Sequence, residues 1–110
     1  MLYLLNAFSL NMLAEPWATV RVAPLTVNSV RAMYGEAVRS SVGHADTAAI
    51  LSRMLGQSVA VNRCTVTLHV DDAAIVAQYT GPRLAEGTTT LPDGAAIRFF
   101  LVTVTPYGDA

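Results

Sequence analysis

The sequence predicts an α/β fold, a single domain over residues 1–110 in which a mixed β-sheet is flanked by helices. Three observations predict it. Two windows repeat apolar residues at helical spacing and stop at a glycine. Several others are short, extended apolar runs bounded by turn residues. The chain's 110 residues are enough for one buried core and leave little room for a second.

The elements follow in order. Residues 2–13 are an apolar run with Asn6, Ser9 and Asn11 inserted, the pattern of a buried strand running into a turn or loop. Residues 19–23 suit a second short strand, which Pro24 should end because it has no N–H to give a ladder. Thr26 then offers an N-cap, and Val27, Val30, Met33 and Tyr34 follow at helical spacing until Gly35. A clearer helix spans residues 45–55, where Thr47, Ile50, Leu51, Met54 and Leu55 share one stripe and Gly56 stops it.

Beyond Asn62 the period becomes two. Cys64, Val66, Leu68 and Val70 point one way and Arg63, Thr65, Thr67 and His69 the other, which predicts a strand with one core face. Asp71 and Asp72 make a turn, residues 74–79 a further strand, and Gly81, Pro82 and Gly87 bracket a loop. Residues 88–96 carry Pro92 and Gly94 and too few apolar side chains for an element. Residues 97–104 are apolar on both faces apart from Arg98 and Thr103, as in an interior strand.

Composition narrows the partners. Apolar residues make up 53% of the chain and charged ones 14%, a balance that leaves apolar surface for self-association. A net charge of −1 gives no global attraction to the backbone of DNA or long RNA, so no DNA partner is expected and any nucleotide must be held by local positive charge. All seven basic residues are arginine, whose planar fork meets phosphate oxygens two at a time, although GC-rich coding would give the same bias. Cys64 is the single cysteine, which excludes an intrachain disulfide and a zinc-cysteine cluster and fits a reducing, cytoplasmic setting. The first 13 residues lack the basic start of a signal peptide, and no apolar run approaches the ~20 residues that span a bilayer, so no membrane association is expected.

Few residues offer chemistry. His44 stands immediately before the second helix, where free N–H groups and the helix dipole favour an anion; a phosphate could dock there beside an imidazole, or His44 is simply a helix-start residue. Arg63 suits phosphate binding. Arg83 and Glu86, three apart on the loop between Gly81 and Gly87, are either part of a site or a solvated local pair. Ser9 and Asn11 either orient a ligand or satisfy backbone groups at a strand end. His69, near Asp71, reads as a surface residue and Trp17, beside Pro16, as core or interface packing. The sequence has no glycine-rich phosphate loop, no His-x-x-x-His pair and no Gly-x-Ser-x-Gly elbow, so no metal and no cofactor is expected.

Four phrases together carry a resemblance: YLLNAFSLNML from Tyr3, SVGHADT from Ser41, VNR from Val61 and RLAEG from Arg83. In this order and spacing, over about residues 2 to 104, the chain resembles the viral anti-CRISPR ring nuclease family, a former domain of unknown function with members also encoded beside cellular type III CRISPR systems. The resemblance implies a homodimer whose two-fold pocket takes one ring of cyclic tetra-adenylate and cleaves it, without metal, to linear di-adenylates. The family's catalytic histidine matches His44. Its binding and catalytic-support positions match Ser9, Arg63, Arg83 and Glu86, and the asparagine of its opening phrase matches Asn6 or Asn11. Family members often carry an acidic helical segment after the RLxEG phrase, where this chain has TTTLPDG, and Pro82 restricts the residue before it.

The chemistry such a site needs is modest. An RNA linkage carries its own nucleophile, the 2′-hydroxyl, so a protein has only to align that oxygen with phosphorus, stabilise developing charge and protonate the departing 5′-oxygen. His44 is the expected general acid, Arg63 and Arg83 the phosphate clamps, and Glu86 an orienter of arginine or histidine. Two such arginines from each of two chains would face four phosphates. The rival expectation is a non-catalytic protein that sequesters a cyclic oligonucleotide with the same arginines.

Overall fold

The computed structural model describes residues 1–108. Five strands and two α-helices build it: β1 (Leu2–Leu5), β2 (Ala18–Leu25), α1 (Val27–Met33), β3 (Val38–Ser40), α2 (Ala45–Leu55), β4 (Ala73–Thr80) and β5 (Ala96–Pro106), with one turn of 3₁₀ helix at Leu10–Met12. The strands form one sheet in the order β2-β5-β4-β1-β3. β1 runs parallel to β3 and β4, whereas β5 is antiparallel to both β4 and β2. The fold is the expected α/β domain with a mixed sheet.

Alternation along the strands separates two apolar layers. Leu4, Ile75, Ala77 and Phe99 point to one face and pack with Val30 of α1 and Ala48, Leu51 and Leu55 of α2. Both helices therefore lie on the same face. Their contact is secured by Arg31, whose Nε donates to the carbonyl of Met54 at 2.9 Å. Leu5, Ala74, Val76, Val102 and Val104 point to the other face, where neither α-helix lies and where Phe8, Met12, Val66 and Leu68 form the cover.

That second cover corrects the sequence reading of residues 64–70. No strand forms there: a single parallel bridge joins Leu68 to Leu13, and residues 62–67 have no ladder. The period of two is nevertheless real, because Val66 and Leu68 are buried and Thr65, Thr67 and His69 are exposed. The segment lies across the sheet face, so its apolar side is buried while its backbone has no neighbouring strand. Cys64, expected on the apolar side, is exposed.

The opening strand runs into a turn as expected: it ends at Leu5, and the 3₁₀ turn capped by Ser9 follows. Three other differences have simple causes. Pro24 does not end β2, which continues to Leu25; β2 is an edge strand, where a missing N–H removes no interior ladder bond. β3 was not anticipated, since three residues, Val38, Arg39 and Ser40, are too few to show a period. Residues 97–104 fall inside β5, which lies between β2 and β4 as an interior strand should. Trp17 is not in the core: it is 69% exposed and leans on Tyr107 with ring centroids 5.4 Å apart.

The turn before β4 is fixed by Asp72, whose Oδ2 accepts the N–H of His69 at 2.9 Å and whose Oδ1 lies 3.3 Å from the Met1 ammonium. Burial acts to raise the Asp72 carboxyl, but the His69 N–H, the ammonium and the nearby imidazole outweigh it and hold the group below the usual carboxylate range. A depressed native value adds stability that is complete above the unfolded value, ~3.9, and fades as pH falls through the native one. Asp72→Ala is thus expected to lower the melting temperature at pH 7 by an amount equivalent to about 1 kcal/mol. That deficit should shrink as the pH is taken below 4, and a deficit unchanged by acid would show that the carboxylate charge contributes nothing.

Candidate functional site

The carboxyl ends of the three parallel strands, at Leu5, Ser40 and Thr80, open at one end of the sheet. Ligands of α/β sheets characteristically sit outside such ends. Four residues separate β3 from α2, so the first turn of α2 stands at the same end. His44 is its N-cap residue, in an extended conformation, exposed and with no hydrogen bond from its side chain to the helix. The cap function is met by the backbone, where the His44 carbonyl accepts from Ala48 at 3.0 Å. The imidazole is left free to face outward.

His44 borders two clefts. One, of about 210 Å³, is lined by Asn6, Ser41, Gly43, His44, Arg63 and Cys64 among others. The other, of about 570 Å³, is lined by His44, Asp46, Thr47, Tyr79, Arg83 and Glu86 with Leu84. The structure therefore brings five of the seven expected residues to one end of the sheet, with the histidine between an Arg63 side and an Arg83 side. Asn6 is there because it directly follows β1; of the two asparagines, it is the one that borders a cleft.

Arg63 is positioned by a short chain of contacts from β3. Ser40 Oγ donates to the Ala60 carbonyl at 2.6 Å, Asn62 Nδ2 donates to the Ser40 carbonyl at 3.0 Å, and the Asn62 N–H donates to the Val42 carbonyl at 2.9 Å. These bonds lay residues 60–63 alongside the chain that leads into α2. The arginine stem passes close to Gly43, where a Cβ would stand 3.4 Å from Arg63 Cγ, in van der Waals contact.

Arg83 and Glu86 lie on the loop after β4. Gly81 starts it with φ +142° and a backbone so near Ala95 that a Cβ would come within 2.8 Å of Ala95 Cα, a place only glycine fits. The Tyr79 hydroxyl donates to the Pro82 carbonyl, and Asp46 Oδ1 accepts the Gly87 N–H at 3.1 Å. Thr89, Thr90 and Leu91 line a groove with Ile50, Arg53 and Met54 of α2.

Ser9 and Asn11 line neither cleft. Ser9 Oγ accepts the Asn11 N–H at 3.2 Å and so caps the 3₁₀ turn, and both residues are exposed. Sequence reasoning gave no role to Asp46, Asn62 or Tyr79. Asp46 and Asn62 stood inside the quoted phrases SVGHADT and VNR, but nothing in a sequence says that an aspartate in a first helical turn will reach a loop 41 residues away. Among the described residues, no three His, Cys, Asp or Glu side chains gather as a metal-binding group, and no helix is long and apolar enough to cross a membrane.

The family model described as STIV B116-like matches residues 2–96, a span that contains all seven candidate residues. The chain belongs to the STIV B116-like family. Among solved structures it is similar to B116 of Sulfolobus turreted icosahedral virus, with a TM-score of 0.79 and 26% identity, covering 93% of this chain and 97% of that one. A search of curated proteins finds no match. This STIV B116-like chain therefore shares its fold with a viral protein over nearly the whole of both lengths.

Proposed function

We propose that the chain is a metal-independent ring nuclease that binds cyclic tetra-adenylate at a homodimer interface and opens it to linear di-adenylates, a reaction that would switch off type III CRISPR signalling in a prokaryotic cytoplasm. The observation that carries this reading is the position of His44, exposed at a helix N-terminus between a cleft with Arg63 and a cleft with Arg83 and Glu86. A phosphodiester lying across the helix end meets an arginine on either side and an imidazole between them. The 2′-hydroxyl of one nucleotide attacks the adjacent 3′-phosphorus and loses its proton to solvent water as a 2′,3′-cyclic phosphate forms, the P–O5′ bond breaks, and His44 gives the leaving 5′-oxygen its proton. The arginines balance charge on the phosphoryl oxygens.

The size of the ligand argues for two copies. Pockets of ~300–1,000 Å³ hold a drug-sized molecule, a ring of four nucleotides is larger, and the clefts of one chain, about 570 and 210 Å³, take only part of it. A two-fold dimer presents the same groups to opposite halves of a ring that shares the symmetry. Ser9 and Asn11 belong to this ligand-binding set through the family resemblance alone.

The competing reading is a protein that sequesters the ring without cutting it. It is favoured by the His44 side chain, which makes no hydrogen bond to its own helix to orient it. Labelled cyclic tetra-adenylate incubated with the protein in excess EDTA separates the two. Ring opening should proceed in the chelator and leave ends bearing 2′,3′-cyclic phosphate or 3′-phosphate. Tight binding with an intact ring selects sequestration, and strict dependence on added magnesium or manganese would refute the metal-free chemistry.

A further inference from the structure

We propose that Asp46 is a positioning residue that ties the Arg83–Glu86 segment to the helix end carrying His44. The inference rests on the reading just given and adds a residue to its site.

Two parts of the candidate site come from distant stretches of chain. His44 is fixed by α2, while Arg83 and Glu86 sit on a loop whose residues 83–86 are all in irregular structure and, apart from Leu84, exposed. Such a loop needs ties to hold an arginine in register with an imidazole. At its near end the ties are the Gly81 backbone packed on Ala95 and the Tyr79 hydroxyl on the Pro82 carbonyl. At its far end the Thr88 N–H returns to the Ala85 carbonyl at 3.1 Å, a bond within the loop that fixes its shape and not its place. The bond that reaches the rest of the molecule is the one from Gly87 to Asp46 Oδ1. Asp46 is two residues beyond His44 in the first turn of α2, so one rigid turn carries the histidine and holds the loop.

An aspartate at this point of a helix has an ordinary role as well, because its charge complements the helix dipole. The geometry distinguishes the two roles. A dipole partner needs only its charge, whereas the Gly87 bond needs an acceptor oxygen at 3.1 Å. Asparagine keeps the oxygen and loses the charge; alanine loses both. Gly87 itself adopts φ +84°, which glycine tolerates, so its N–H is presented to Asp46 by a turn that a side chain would strain.

The test compares Asp46→Asn with Asp46→Ala in the full chain, reading amide hydrogen exchange at Gly87 and single-turnover opening of cyclic tetra-adenylate. In Asp46→Ala, exchange at Gly87 should rise about tenfold, as a tied amide becomes a free one. Turnover at saturating ring should fall by ~10- to 100-fold, the scale on which misplacement of a positioned group acts. Asp46→Asn should stay within about threefold of the natural protein in both. Equal losses in both variants would assign the effect to helix charge and overturn the proposal, as would unchanged Gly87 exchange in Asp46→Ala. If the natural protein leaves the ring intact, the ring nuclease reading fails on its own, and the exchange comparison still decides whether Asp46 holds the loop.

Discussion

Replacing His44 by alanine is expected to leave binding of cyclic tetra-adenylate nearly unchanged and to lower single-turnover opening by ~10²–10⁴-fold, the contribution of a placed proton donor. The structure makes this substitution a clean one. The His44 side chain does not cap α2, and the bond that starts the helix uses its carbonyl, which alanine keeps. The residue is exposed, so no cavity is left behind. A loss of activity can therefore be read as a loss of chemistry once a melting curve shows the fold intact. Binding should persist because Arg63 and Arg83 occupy separate clefts and neither needs the imidazole for its place. A loss smaller than ~10-fold falls short of what proton transfer contributes. In that event His44 is a binding residue, and the rate must come from alignment and arginine clamping.

Some of this molecule was legible in its sequence and some was not, for physical reasons. Helix α2 was legible because burial, period and terminator agree: Thr47, Ile50, Leu51 and Leu55 are buried, and Gly56 takes the left-handed conformation at φ 66°. The interior strand β5 was legible because burial on both sides leaves consecutive apolar residues, Phe99 to Val102, where alternation would have placed polar ones. Residues 64–70 misled because alternation reports which side chains face the core and not whether the backbone has a ladder partner; Val66 satisfies the first without the second, and Leu68 has only its single bridge to Leu13. At the candidate site, His44, Arg63, Arg83 and Glu86 are legible as candidates from their residue types and positions, the family resemblance adds their roles, and the structure adds that their clefts adjoin at His44. Asp46 and Asn62 were not legible as supports, because their side chains act through hydrogen bonds to distant residues that leave no local pattern.

Arg63→Ala and Arg83→Ala should each weaken binding of cyclic tetra-adenylate by about 10- to 100-fold, against less than about threefold for Arg21→Ala. A hydrogen bond to a charged group contributes ~1.5–3 kcal/mol. Both arginines are exposed in the free chain, so solvent screening takes the effect toward the lower end. Each substitution acts twice in a two-fold dimer, which restores part of it. At ~1.4 kcal/mol per tenfold, the stated range follows. Arg21 is the fitting control: it is exposed on β2, the edge strand farthest from β3 in the sheet order. Arg31 is not, because its bond to the Met54 carbonyl joins the two helices and its loss would disturb α2 and with it His44. Arg63 and Arg83 line separate clefts beside His44 and share no hydrogen-bonded partner among the described residues, so their effects should add in the double variant to within ~0.5 kcal/mol. Raising the salt concentration should narrow the gap between natural protein and either variant, since screening weakens what the arginines supply. Equal affinities for all three single variants would remove both arginines from the ligand and leave His44 without the clamps that the ring-opening chemistry requires.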